Sequence, residues 1–464
     1  MSVLILNNVE VAGRAGLDVR LEDGRIAEMG VGLTGPGERL DARGGALIPG
    51  LIDHHLHLLA TAARADTLAL EDVAGPHDLA ARLAVFARAR PVGTWVRAAG
   101  WREHHAGPLD RAALDRIAPD HPVRVQDQTG ALWILNSRAL EWLGDADLPA
   151  AVERDAAGRP TGRIWRGDAW LQSRIGRSPP PLAPIGTALA AAGVTGVMDA
   201  SVSTDAAAAA VLAEAARSGD LPQRLRLMSG GDLAAPGDGA FAIGPLKILF
   251  DDRDLPPLDA VTDKIALARR LGRPVAAHCV TAAELAVMLA AFDMAGARAG
   301  DRIEHGGVIA PAAVGELKRL GLTVVTQPAF IFERGDRYLA EVDPAEQNDL
   351  YRCASLLAAG VPVAGSSDAP YGSLDPWTAL RAAVDRRTRS GAPIGPGERI
   401  SAAAALGLYL GPFEDPGGLA RRIAPGEAAD LCLLKTPLRA ALDDLDAGAV
   451  AATFVGARLV YRAR

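Results

Sequence analysis

The sequence predicts an α/β protein: a (β/α)8 barrel with a small β-sandwich domain built from both termini and an insertion after barrel strand 1. Three observations predict it. Eight short apolar runs recur along the chain, the later seven alternating with helical segments between residues 193 and 370, which is the pattern of βα units around a parallel sheet. Both ends of the chain alternate apolar and polar residues around glycine turns instead. Between the first apolar run and the second lies a long stretch, residues 59–185, that fits no single βα unit.

At the amino end, LILNNVEV, LDVRLEDGRIAEM and ERLDARGGALI read as strands and hairpins over residues 1–48. From about residue 424, EAADLCLL and AATFVGARLVY repeat the signature, the second broken by a turn at Gly456. Segments 1–48 and 424–464 are therefore expected to join as one composite domain. The barrel is expected over 49–58 plus 186–423. Its first strand ends ALIPGLIDHHLH, and the others are VTGVMDA (194–200), RLRLMS (224–229), LKILF (246–250), PVAAH (274–278), RIEHG (302–306), TVVTQ (323–327) and VPVAGSSD (361–368). Helical segments such as TDKIALARRLG and AAVGELKRLG close on the glycine expected just past a helix end. DAAAAAVLAEAARSG is alanine-rich, and alanine being the best helix former it reads as an outer barrel helix. The insertion ends in RSPPPLAPIG, which cannot continue a helix or a central strand. It leaves the barrel directly after the first strand, so it is expected to form much of the substrate pocket rather than a separately folded domain.

Composition excludes several classes. The 464 residues are 49% hydrophobic and 23% charged, an ordinary globular balance with no long uncharged apolar span for a membrane. Forty-nine basic against 56 acidic residues give −7, without a basic stripe interleaved with aromatics, so nucleic acid is not an expected partner. Cys279, Cys353 and Cys432 are scattered and odd in number, which is no disulfide framework. The N-terminus has no basic segment or cleavage site and reads as a strand, so a cytoplasmic protein is expected. A homo-oligomer is compatible with all of this.

The chemistry is concentrated at strand ends. His55 and His57 stand at i and i+2 at the end of an apolar strand, so both face one side. Two imidazoles aimed together suit a metal, although paired histidines also occur on polar rims. His278 closes PVAAH, His305 closes RIEH and Asp368 closes VPVAGSSD. In a (β/α)8 barrel those carboxyl ends converge on the face where active sites are built. Each residue alone reads as readily as a satisfied polar group; four strand ends together point to a site.

Lysine is scarce. Lys247, Lys264, Lys318 and Lys435 are the only four, and Lys247 alone interrupts an apolar barrel strand. A buried amine needs a reason: it becomes a carbamate bridging two metals, pairs with an acid, or snorkels outward. His54 and Cys279 each sit beside a candidate ligand and are expected on the opposite strand face. Glu304 is expected to point away from the pocket, and His104 and His105 to lie in a solvated loop of the insertion. Trp101, Trp133 and Tyr371 are candidate substrate-binding walls, with plain core packing as the other reading.

Taken together, PGLIDHHLHL, GWREHHAGPLDRAALDRIAPDHPV, TGALWILNSRAL, LKILF, AAHCVTAAEL, RIEHGGVI, TQPAF, GSSDAPYGSLDPWTAL and IAPGEAADLCLL before TFVGARLVY resemble the amidohydrolase superfamily. Within it they resemble the amidohydrolase-3 or YtcJ-like family, which includes N-substituted formamide deformylases. The resemblance spans nearly the whole chain. It implies a metal-dependent hydrolase acting on a small molecule, with His55 and His57 on one metal, His278 and His305 on a second, and a carboxylated Lys247 as bridge. It further implies that Asp368 is both ligand and proton shuttle, that zinc is the usual ion and that one or two bind per chain. Two places depart from the family's pattern: Gly130-Ala131, where glycine-histidine is common, and Asp251-Asp252, where aspartate-glycine is common.

The implied reaction is cleavage of a non-peptide C–N bond, an amide or N-acyl amine, by a hydroxide generated at the metal. The runner-up is deamination of an aminoheterocycle on the same barrel. Outside enzymes, a catalytically silent barrel that only binds is the alternative, and the intact ligand set argues against it.

Overall fold

The computed structural model describes residues 3–144, 148, 151–175, 179–250 and 254–464, so Asp251-Asp252 lie outside the described residues. The chain divides into two compact units, Met1–Leu58 with Leu182–Arg464, and Leu59–Pro181.

In the first unit, the amino-terminal strands form a sheet in the order Arg25–Gly30, Arg14–Glu22, Leu4–Val11, Glu38–Asp41. The second sheet runs Arg458–Arg462, Val450–Val455, Leu431–Leu434, Leu47–Pro49. Leu6, Val19, Leu21 and Ile26 from the first meet Leu431, Leu433 and Phe454 from the second in one apolar cluster. Each such side chain contributes about 1.5–3 kcal/mol by leaving water, and neither half supplies the whole cluster. The turn between Glu22 and Arg25 is Asp23-Gly24, with φ of 50° and 78°; two consecutive positive φ values are what a two-residue hairpin loop demands, and Asp-Gly tolerates them.

Eight parallel strands make the barrel: β1 (Leu51–Leu56), β2 (Val194–Asp199), β3 (Arg224–Ser229), β4 (Ala242–Ile248), β5 (Val275–Cys279), β6 (Arg302–His305), β7 (Thr323–Thr326) and β8 (Val363–Gly365), paired in that order. β1, β2, β6 and β7 are buried at every residue, as strands covered on both faces must be. The segment after β8 closes the ring, Asp368 N donating to His55 O at 2.8 Å and His57 N to Ala369 O at 2.8 Å. The outer helix Ala206–Ser218 starts where the Asp205 side chain accepts from Ala208 N and ends at Gly219 with φ 85°. β4 begins four residues earlier than LKILF and stops two residues sooner, while β8 is shorter than VPVAGSSD. Asp368 lies three residues beyond the end of β8, with a φ of 51° outside strand geometry.

The insertion, expected not to be a separately folded domain, is a compact unit with a sheet of its own. Its six-stranded sheet runs Val152–Arg154, Pro160–Trp165, Leu132–Leu135, Val123–Asp127, Val96–Trp101, Leu68–Ala69. Val96, Ala98, Val123, Val125 and Ile134 pack with Leu79, Leu83 and Leu114 of its helices, so alternating strands and amphipathic helices give it a core of its own. Asn136 is buried and accepts from both Val123 N and Ala139 N at 2.9 Å, tying a strand to the start of Ser137–Leu143. Among the described residues no helix is long and apolar enough to cross a membrane.

Candidate metal centre

His55 is the last residue but one of β1 and fully buried, and His57 lies just past the strand with a partly exposed ring on the same side. Their ring centroids are 5.4 Å apart. His57 Nε2 lies 3.3 Å, and His55 Nε2 3.5 Å, from Asp368 Oδ1. His55, His57 and Asp368 thus offer one ligand atom each, all within 4.8 Å of one another. The His305 ring is centred 4.7 Å from that of His55 and 4.4 Å from that of His278. Lys247, only 3% exposed, places Nζ 3.4 Å from His55 Nε2. The six residues at strand ends therefore form one cluster.

Hydrogen bonds behind the rings set which nitrogen faces inward. His55 Nδ1 bonds to Glu304 Oε2, His57 Nδ1 to Ser201 Oγ at 3.0 Å, and His305 Nδ1 to Gln327 Oε1 at 3.0 Å. Acceptors on Nδ1 of His55 and His305 put the proton there and leave the Nε2 lone pair free, the arrangement that orients metal-binding imidazoles. Gln327 is itself fixed, its Nε2 donating to Ser366 Oγ at 2.9 Å. Burial pulls His55 and His305 well below the usual imidazole range and His278 to about 4, so neutral rings are the resting form. Burial likewise lowers Lys247 to about 8. Its exposure excludes an outward-snorkelling amine, and among the described residues no carboxylate stands within ion-pair distance of it.

The expectation for Glu304 is corrected. Both Glu304 and His305 touch the His55 ring, which regular strand alternation does not allow. His305 adopts a φ of 70°, leaving the strand geometry at that point and turning its ring inward. Arg302 Nη2 donates to His54 O at 2.8 Å and its guanidinium pairs with Glu304, so the carboxylate behind His55 is anchored. His54 is buried on the other face, its ring edge-on to Phe413 at 6.3 Å. Asp53 accepts from His55 N at 3.2 Å and Ser367 N at 3.1 Å, and burial raises it to about 6. Ser201 and Gln327 escaped sequence reasoning although each follows or ends a barrel strand, the same signal that singled out Asp368.

The cysteines are buried and unpaired; burial pushes the Cys279 thiol up and Cys353 and Cys432 to about 12, which leaves them unreactive. Tyr371 is 60% exposed with its ring 5.9 Å from that of His57. Trp101 is 2% and Trp133 5% exposed, each within an apolar cluster of the insertion; these burials support the packing reading. His104 and His105 are exposed on the short helix Glu103–Ala106.

The residues present fit a divalent ion. Asp368 Oδ1 is buried without a hydrogen-bond partner, a cost a protein avoids unless something else meets the oxygen. Two imidazole nitrogens and a carboxylate are a zinc-type donor set.

A model described as the amidohydrolase family matches residues 38–461. The N-substituted formamide deformylase of Arthrobacter pascens is 26% identical, over 98% of this chain and 97% of its own length. The amidohydrolase named YtcJ of Bacillus subtilis (strain 168) is 24% identical over 80% of each chain. An uncharacterized metal-dependent hydrolase from Pyrococcus furiosus, known from its crystal structure, shares the fold with a TM-score of 0.72 and 21% identity, over 93% of this chain and 99% of that one.

Proposed function

The chain belongs to the amidohydrolase family, and on that premise we propose that it hydrolyses a non-peptide C–N bond, an amide or N-acyl amine, of a small molecule. The observation that carries the reading is the single cluster of His55, His57 and Asp368 with the His278 and His305 rings and the Lys247 amine beside it. His55, His57 and Asp368 would hold one divalent ion, zinc by preference, and His278 and His305 a second, with Lys247 serving both. Zinc, when bound, acidifies water to a pKa of about 7 and polarises a carbonyl.

The remaining steps fall to the chain's own side chains. Asp368 takes the proton of the attacking water on its carboxylate and returns it to the departing nitrogen, general base then general acid. Glu304, Ser201 and Gln327 hold the three rings against rotation, so the site needs no rearrangement as charge develops. Lys247, held near 8 by burial, is partly neutral at neutral pH. The neutral amine adds to carbon dioxide and loses a proton, and the resulting carbamate offers two oxygens where the amine had one nitrogen. Tyr371 stands at the edge of the cluster as a wall for the substrate.

Metal analysis of the purified protein, paired with a screen of formamides, N-acyl amines, cyclic amides and aminoheterocycles, tests this. Up to two divalent metals per chain are expected, with turnover of an N-acyl substrate that chelation removes and zinc restores. Metal-free protein that still turns over substrate would overturn the metal reading; turnover confined to aminoheterocycles would overturn the amide one. Lys247→Ala should lose metal and activity together, short carboxylic acids restoring part of the activity.

A further inference from the structure

The opposite end of the barrel carries a cavity of about 470 Å³, within the range of small-molecule sites. Ile52, Thr195, Arg224 and Ala242 line it from the amino-terminal starts of β1 to β4, and Asp430, Val455 and Arg458 close it from the terminal sandwich. Every residue of the metal-facing cluster lies at or beyond the carboxyl end of a strand or within its last turn, so the two sites occupy different ends.

The charges of this cavity do not balance. Four guanidinium groups line it, from Arg224, Arg226, Arg421 and Arg458, against the carboxylates of Glu414 and Asp430. Both carboxylates are engaged. Asp430 Oδ2 meets Arg224 Nε at 3.2 Å while its Oδ1 accepts from Gly456 N at 2.7 Å, and Glu414 pairs with Arg226. Among the described residues neither Arg421 nor Arg458 has a carboxylate within ion-pair distance. Arg421 is held by carbonyls, Nε donating to Leu410 O at 3.3 Å and Nη2 to Gly50 O. Carbonyls fix a guanidinium in place but bring no countercharge, and a largely buried cation without one is costly. Burial lowers Arg421 only to about 10, so it stays cationic at neutral pH. Between the arginines the wall is apolar, with Ile52, Leu221, Leu225 and Phe413.

We propose that this cavity binds a small organic anion, a carboxylate or phosphate on an apolar body, whose charge is met by Arg421 and Arg458. A planar guanidinium suits both head groups. The apolar wall takes the body, and a bare inorganic ion leaves that wall unused.

Calorimetric titration of the metal-loaded protein at fixed ionic strength tests the site. Benzoate and phenyl phosphate serve as the two anionic arms, benzamide as the uncharged body and inorganic phosphate as the head alone. At least one arm is expected to saturate, with benzamide and inorganic phosphate at least tenfold weaker, and whichever arm binds identifies the head group. Arg458→Gln, an exposed position, should weaken that binding at least tenfold while turnover stays within twofold of the parent; Arg421→Gln should do the same if it folds. Absence of saturation by both arms, or an affinity unchanged in Arg458→Gln, would overturn the proposal, the latter by placing the anion elsewhere on the protein.

Discussion

At the mouth of the barrel the buried ring nitrogens behind the cluster have partners: His55 on Glu304, His57 on Ser201, His305 on Gln327. In the insertion several large side chains differ in this respect. The indole nitrogens of Trp95, Trp101 and Trp170 and Nε of Arg97, Arg102 and Arg124 are buried without a hydrogen-bond partner. Arg97 and Arg124 even stand opposite one another on adjacent strands, a like-charge pairing that sheets disfavour, and the Arg124 guanidinium lies 5.6–5.8 Å from the Trp133 and Trp95 rings. A polar atom locked by a second bond is one whose position matters. Large residues with idle polar atoms are kept for bulk and apolar area. Substitutions at the mouth should therefore cost function with little stability, and those in the insertion's core stability first.

The largest effect tests the first half of that contrast. Asp368→Asn keeps an oxygen for a metal and the backbone bond to His55 O, but an amide neither takes the water's proton nor returns it. A general acid or base contributes about 10² to 10⁴ in rate. The loss should fall on kcat, with at least one metal retained and a melting temperature near the parent's. Retention of kcat within a few-fold would make Asp368 a ligand only and leave the proton to another group.

Trp133→Ala tests the second half through buried bulk alone, since Trp133 is 5% exposed in an apolar cluster of the insertion. Removing a buried tryptophan costs about 3–5 kcal/mol, read as a lower denaturation midpoint, while metal content per folded chain should not change. A variant with unchanged midpoint and altered relative kcat/KM across several substrates would instead make Trp133 a pocket wall.

How much of this was legible in the sequence follows the same division. His55 and His57 were visible because a period of two is local, and His278, His305 and Asp368 because strand ends in a parallel barrel meet whatever their separation in the chain. Lys247 stood out as a lone cation in an apolar run. Glu304 was misplaced because alternation sends it away from its neighbour, and the positive φ of His305 that breaks alternation leaves no mark in a non-glycine residue. The insertion's own core went unread because its strands are short and irregularly spaced. The same tryptophan spacing serves a wall or a core, and only packing separates them.

Ser201→Ala asks whether the bonds behind the rings matter as argued. The hydroxyl holds His57 Nδ1, while Ser201 N still donates to Asp199 Oδ1 at 3.0 Å, so the turn survives. Loss of such a partner typically costs about 10- to 100-fold in metal affinity or activity. Zinc competition against a chelator should register it. An unchanged zinc affinity would mean that packing alone orients His57.

The smallest expected change is at Tyr371, an aromatic at the mouth that, unlike Trp101 and Trp133, is mostly exposed. Its ring lies edge-on to His57 and its backbone N donates to Asp368 O at 2.8 Å, so the main chain is held whatever the side chain does. An aromatic contact contributes about 0.5–1.5 kcal/mol beyond its area, which is roughly two- to tenfold in kcat/KM. Tyr371→Ala should therefore raise KM for substrates with a bulky apolar group and leave small formamides nearly untouched, with kcat and metal content near the parent's. A uniform fall in kcat for every substrate would instead mean that the ring acts by holding His57, and would move Tyr371 from the substrate wall to the bonds and contacts that set the metal-facing imidazoles.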